Sequence, residues 1–235
     1  MPDRWYAAER DSTGWGIYKT EIAKSGESYF FNASLLKETP VLVNSNNNFA
    51  PKISPDGKSI AFIEDRNILK VMPIGGGKAV TILPKGRNHS YSDGDWGFNW
   101  SPDSRWLFVD DQRGFFMSGN TALVKADGSG ELRHPIQSGF GDGRAKWSAD
   151  GKVMTWVSSR YGRKSLAYQG SREVDVFAAF FDQEAYDRFQ LNKDEFQLLE
   201  EREKQDSTKK KEAKVEFVPN IENLRNRMVR LTINS

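Results

Sequence analysis

FAPKISPDGKSIAF, from Phe49 to Phe62, is followed by FNWSPDSRWLFV from Phe98 to Val109 and by RAKWSADGKVMTWV from Arg144 to Val157. The three stretches share a core: Ser54-Pro55-Asp56-Gly57, Ser101-Pro102-Asp103-Ser104 and Ser148-Ala149-Asp150-Gly151. Ser54 to Ser101 and Ser101 to Ser148 are both 47 positions. Self-similarity at a fixed spacing of about 20–50 residues marks a repeated structural unit.

Each copy predicts a β-hairpin. Phe98 and Trp100, then Trp106 and Phe108, sit at alternate positions, the period of a strand with one buried face. Between the two apolar runs, Pro102 presets φ for a turn and Asp103 can bond the backbone two residues on. Gly57 and Gly151 supply the positive φ that such turns often need, where the second copy has Ser104. A weaker echo follows each hairpin. Ile68–Met72 leads through Gly75-Gly76-Gly77 to Ala79–Leu83, and Thr121–Val124 leads through Asp127-Gly128-Ser129-Gly130 to Glu131–Arg133. The unit is therefore four strands, a to d, with the Ser-Pro-Asp turn between a and b and a Gly-rich turn between c and d. Four-stranded units of roughly 40–50 residues are the blades of a β-propeller.

Taken in order, blade 1 covers about 4–43 and lacks a strand a, because Arg4–Glu9 already reads as strand b. Blade 2 covers about 49–83, blade 3 about 95–136 and blade 4 about 144–234. Blade 4 is interrupted after its apolar strand c. Asp182 and Asn192 stand at N-cap positions, the latter with Glu195 at capping-box spacing, and predict two short helices. Phe181 with Tyr186 and Leu191 with Phe196 are spaced as hydrophobic staples across these caps. The insertion and its charged linker span 182–216, and Asp206–Lys214 is too charged to pack. Strand d resumes at Met228–Ile233. The expected class is thus all-β: about four blades of four antiparallel strands with a short helical insertion in the last. A complete four-bladed ring and an excerpt from a larger propeller both fit; the missing strand a favours the excerpt, with open sheet edges available for oligomerisation.

The repeat resembles the TolB-like propeller repeat. Tyr161-Gly162-Arg163-Lys164-Ser165, Asp182-Gln183-Glu184-Ala185-Tyr186 and Asn220–Arg227 before Val229–Thr232 resemble, in addition, the propeller part of bacterial tricorn-like serine peptidases. That resemblance implies a non-catalytic propeller segment that binds or gates peptide or protein substrates for a C-terminal peptidase domain absent from this chain. It also implies a periplasmic or secreted location, with the cytoplasm as the alternative. A TolB-like protein-interaction module of the cell envelope and a fragment of a prolyl-oligopeptidase-type hydrolase are the other readings.

Composition narrows the chemistry. A net charge of +2 over 235 residues gives no global field for nucleic acid or an anionic membrane. There is no cysteine, hence no disulfide and no thiolate metal site. No run of about 18 apolar residues is present to span a bilayer. Of the two histidines, His89 sits in a polar loop and His134 precedes Pro135 at the end of a strand; neither reads as a member of a catalytic triad, and no Gly-x-Ser-x-Gly elbow occurs. Gly75-Gly76-Gly77-Lys78 opens a strand rather than a helix, which is not the phosphate-loop arrangement. Asp93-Gly94-Asp95 and Asp110-Asp111 do not match a calcium loop. Lys209-Lys210-Lys211 is offset by Glu212 and Glu216, so it reads as linker. No catalytic residue, metal or cofactor is expected in this chain.

What remains is a binding surface. In a propeller the d–a and b–c loops share one face, which would gather Tyr91, Asp93, Asp95, Arg113, Arg144, Tyr161 and Arg163. Guanidinium forks match carboxylates and tyrosine adds rigid apolar area, so this set is the candidate peptide-binding face.

Overall fold

The computed structural model describes residues 4–10, 12, 14–88, 97–112, 120–163, 173–205 and 219–233. The chain forms two compact units, Met1–Gln137 and Ser138–Ser235.

The first unit contains three antiparallel sheets. The first is three-stranded: β1 (Arg4–Arg10), β2 (Trp15–Ile22) and β3 (Leu36–Leu42), in that order. The second holds β4 (Asn48–Ile53), β5 (Ser59–Glu64), β6 (Ile68–Pro73) and β7 (Val80–Leu83). The third holds β8 (Phe98–Trp100), β9 (Trp106–Asp111), β10 (Asn120–Lys125) and β11 (Leu132–Arg133). In each, sequence neighbours are sheet neighbours, the up-and-down order of a propeller blade.

Strand periodicity explains how these sheets stack. Along β5, Ile60 and Phe62 point one way and join Met72 in a cluster with Tyr6 and Ile17 of the first sheet. Ala61 and Ile63 point the other way and join Leu69 and Val71 against Phe98, Trp100, Leu107 and Val109 of the third. All four β5 residues are fully buried, as a strand sandwiched between two sheets must be. The first strands of adjacent blades are also tied directly. Lys52 Nζ donates to the Phe98 carbonyl at 2.6 Å, and Trp100 Nε1 donates to the Lys52 carbonyl at 2.9 Å.

The first two Ser-Pro-Asp turns are built alike. The amides of Gly57 and Ser104 donate to the carbonyls of Ser54 and Ser101, both at 2.9 Å. Ser54 Oγ donates to Asp56 at 2.6 Å and Ser101 Oγ to Asp103 at 2.5 Å, while each hydroxyl accepts the first amide of the following strand, Ser59 or Trp106, at 2.9 Å. Gly57 sits at φ 71° and Ser104 at φ 64°, so the serine adopts the left-handed conformation that glycine takes elsewhere. Its hydroxyl accepts the Asp56 amide at 3.0 Å, linking the two turns.

The second unit holds one four-stranded sheet: β12 (Asp142–Ser148), β13 (Val153–Ser158), β14 (Asp175–Phe180) and β15 (Met228–Arg230). Its a–b turn departs from the other two. Ala149 (φ 47°) and Asp150 (φ 53°) are both left-handed, and the turn bond moves one residue on, from the Lys152 amide to the Ala149 carbonyl. Proline, fixed near φ −65°, cannot occupy that first position; the replacement of Pro by Ala149 permits it.

Between β14 and β15 lie α1 (Gln183–Gln190) and α2 (Lys193–Gln205). Asp182 caps α1 by accepting the Ala185 amide at 2.8 Å. Asn192 and Glu195 form the expected capping box, with bonds of 2.9 Å in each direction. Tyr186 packs edge-on against Phe180, with ring centroids 5.4 Å apart, so the contact that fixes the entry of α1 reaches the last residue of β14. Most of the linker, residues 206–218, lies outside the described residues.

The all-β class, the blade-like sheets and the helical insertion in the last of them are therefore those expected from the repeat.

Candidate binding face

Antiparallel pairing brings the start of strand a, the end of b and the start of c to one end of each sheet. That end carries buried polar side chains at repeat-equivalent positions. The last residue of strand b is Glu64, Asp111 and Ser158 in successive blades, 47 positions apart, and all three are buried. Glu64 pairs with Lys70 Nζ at 2.6 Å. Asp111 Oδ2 accepts from Arg87 Nη2 at 2.6 Å and lies 2.7 Å from His134 Nε2. Nearby, Asn88 Nδ2 donates to the Asp110 carbonyl at 3.2 Å. A fully buried carboxylate is tolerated only when paired and hydrogen-bonded, and here its partners come from the segments before and after the sheet. The carboxylate therefore fastens connections to the strand ends. His134, just past β11, is a nearly buried partner of Asp111.

In the second unit, Asp142 at the start of β12 accepts from Ser138 Oγ and from Trp156 Nε1, the latter at 3.2 Å. Asp175 at the start of β14 accepts from Arg230 Nη2 at 2.6 Å and from Thr232 Oγ1 at 3.2 Å. Arg230 also lies over the ring of Tyr161, 4.9 Å from its centroid, and Tyr161 rests on Phe177 at 6.1 Å. Tyr161 is 57% exposed yet held on two sides, a rigid aromatic surface at the mouth of the b–c loop.

Arg163 occupies the same loop, but its guanidinium is engaged. Its Nε and Nη2 reach Glu173 Oε1 at 2.9 and 2.6 Å, and the Arg163 carbonyl accepts the Glu173 amide at 3.1 Å. The arginine holds Glu173 below the ordinary carboxylate range, mainly through their side-chain hydrogen bond. So exposed a pair adds little stability, and it closes the neck of the loop.

Arg144 differs. It lies in β12 at φ 56°, where the pairing with β13 shifts register between Gly143 and Lys146. Ala50 occupies the same repeat position in β4, at φ 48° beside the equivalent shift between Phe49 and Lys52. The position between them in the repeat is Gly97. A bulge re-aims a side chain, and a non-glycine residue there carries backbone strain. Blades 2 and 3 place little or no side chain at this point; blade 4 places an exposed arginine without an acidic partner among the described residues. Lys146, also exposed, follows it, and the only acid on β12, Asp142, is buried.

Of the seven residues expected on this face, Arg144, Tyr161 and Arg163 are described, and all three belong to the second unit. Tyr91, Asp93, Asp95 and Arg113 lie outside the described residues. The anchors Asp111, Asp142 and Asp175 are not among the residues expected on this face, although repeat-equivalent polar residues at strand ends are a usable sequence signal for the first two. Among the described residues, no group of three potential metal-ligating side chains converges, and no helix is long and apolar enough to cross a membrane.

This architecture defines a β-propeller region. No protein-family model matches the chain, and no curated protein sequence does. Among solved structures, the chain is similar to the tricorn protease, with a TM-score of 0.59 and 14% identity over 98% of this chain and 20% of that one. It is also similar to the putative TolB of Agrobacterium tumefaciens (TM-score 0.49, 20% identity, 77% of this chain and 58% of that one). The TolB of Acinetobacter baumannii aligns with the same TM-score and identity over 76% of this chain and 38% of that one. The chain thus spans only part of the length of each of these proteins. At 14% identity the likeness to the tricorn protease is one of fold alone, that of a β-propeller.

Proposed function

We propose that this chain is a non-catalytic propeller segment that binds peptide or protein segments at the b–c and d–a end of its blades, in the service of a serine-peptidase domain outside this sequence. The observation that carries the reading is Arg144. An exposed guanidinium without an acidic partner among the described residues, at a left-handed bulge position where the repeat otherwise has alanine or glycine, is a placement that a ligand carboxylate explains. Tyr161, clamped by Arg230 and Phe177, adds an aromatic surface at the same end of the sheet. The fold likeness to the tricorn protease supports the peptidase context; the same proposal puts the chain in the periplasm or outside the cell.

The test is a titration of fluorescent acidic and neutral peptides into the chain, repeated with Arg144→Ala. The expected outcome is preferential binding of the acidic peptide, weakened about tenfold by the substitution, the size of one charge-assisted contact. Equal affinity of both peptides for both proteins would defeat the reading.

A further inference from the structure

The third Ser-x-Asp turn, alone among the three, is not closed on itself. Ser54 and Ser101 are buried, and their hydroxyls are consumed inside their own turns. Ser148 is exposed, its hydroxyl makes no capping bond, and it has no hydrogen-bond partner among the described residues. Together with Lys152 it borders a cleft of about 480 Å³ between the sheet and the helical insertion. The walls are Val153, Thr155, Ala178, Phe180, Phe189 and Phe196. That volume falls within the range of about 300–1,000 Å³ typical of small-molecule sites.

Two features shape the cleft. Phe189 lies against Phe180 at 5.1 Å and brings α1 onto the sheet. Arg188 bridges the helices by pairing with Glu203 at 2.8 Å and lies 5.0 Å from the centroid of the Phe196 ring. Phe189 and Phe196 nevertheless stay 49% and 36% exposed, an apolar surface left open on the cleft side of the insertion. The charges lining it are Lys152, Glu184 and Arg188. Arg188 is committed to Glu203, and Glu184 in the first turn of α1 is stabilised by the helix N-terminus. Lys152 is the cation left for a ligand, with no acidic partner among the described residues.

We propose that this cleft binds a medium-chain aliphatic carboxylate, its tail between β13–β14 and the helices and its head on Lys152 and Ser148. An ammonium and a hydroxyl at one end match a carboxylate. Val153, Ala178, Phe180, Phe189 and Phe196 make the walls mostly apolar, and beside Thr155 they offer too few partners for the amides of a peptide, which would be buried at a cost; an unbranched chain makes no such demand. The site is separate from the peptide-binding face and stands whether or not that reading holds.

The experiment is isothermal titration of decanoate and of decanol into the full chain, Lys152→Met and Thr155→Trp. Decanoate binds the unaltered chain about tenfold more tightly than decanol, from the charge-assisted head contact. Lys152→Met, at an exposed position, abolishes that preference while leaving decanol binding unchanged. Thr155→Trp, with folding verified by circular dichroism, fills the cleft and weakens both ligands. Equal binding of decanoate and decanol, or an undiminished preference in Lys152→Met, overturns the proposal.

Discussion

Replacing the repeated serine by alanine, one copy at a time, separates a shared motif from a shared structure. Ser101 Oγ is fully buried; it donates to Asp103 at 2.5 Å and accepts the amides of Trp106 at 2.9 Å and Arg105 at 3.2 Å. Arg105 has a second acceptor in Asp103 Oδ1 at 3.1 Å, so its amide survives the loss. The Trp106 amide loses its turn acceptor, at about 1–3 kcal/mol for an orphaned buried donor, and a hydrogen bond to a carboxylate goes with it, at about 1.5–3 kcal/mol. Partial rehydration of Asp103 returns some of this, which leaves about 2–4 kcal/mol for Ser101→Ala. Ser54→Ala removes the same two bonds and belongs in the same range. Ser148→Ala removes none and should lie within about 0.5 kcal/mol of the parent. Urea unfolding followed by tryptophan fluorescence gives the ranking, provided the m-value is unchanged. Amide exchange at Trp106 supplies a local readout that accelerates only in Ser101→Ala. A Ser148→Ala cost equal to that of Ser101→Ala, or a Ser101→Ala cost below about 0.5 kcal/mol, would refute the assignment of these bonds.

Ser104 permits a second comparison. Ser104→Ala keeps the left-handed backbone and loses the bond from the Asp56 amide, for a loss of about 0.5–1.5 kcal/mol. Ser104→Gly loses the same bond but relieves about 1–2 kcal/mol of strain, so the glycine variant should be the more stable of the two in the same unfolding assay. Equal stabilities would contradict this. In acid, the c–d turn of blade 3 should weaken at its carboxylate. Asp127 is drawn from 3.8 to about 2, first by its hydrogen bonds with Ser129 and then by Lys125. A depressed folded value means stability present above the unfolded value and lost on acidification, here between about pH 4 and pH 2. The carboxylate is nearly exposed, so the loss is small, and a carboxyl NMR titration is the suitable measurement. A midpoint near 3.8 would remove the effect.

The blades were legible because a strand sandwiched between sheets needs apolar residues on both faces, and Ile60–Ile63 and Trp106–Val109 declare this. The helix caps were legible because Asp182 and Asn192 act locally, within three residues. The altered turn at Ser148 was half legible: Ala149 in place of proline permits a left-handed residue but does not dictate one. The bulge at Arg144 was not, because register depends on how β12 meets β13 and leaves no local mark. Nor was the role of Asp111, whose partners Arg87 and His134 come from distant segments. Asp95 shares its repeat position with Asn48 and Asp142 and lies outside the described residues.

The most direct test of the functional account combines binding and turnover in one sample. A doubly labelled acidic peptide is incubated with the chain, and its anisotropy and its cleavage are followed together. The account predicts a rise in anisotropy that Arg144→Ala reduces by about tenfold in affinity, while the peptide stays intact. Cleavage that a serine-directed phosphonate abolishes, or an anisotropy indifferent to the chain at every concentration, would contradict it.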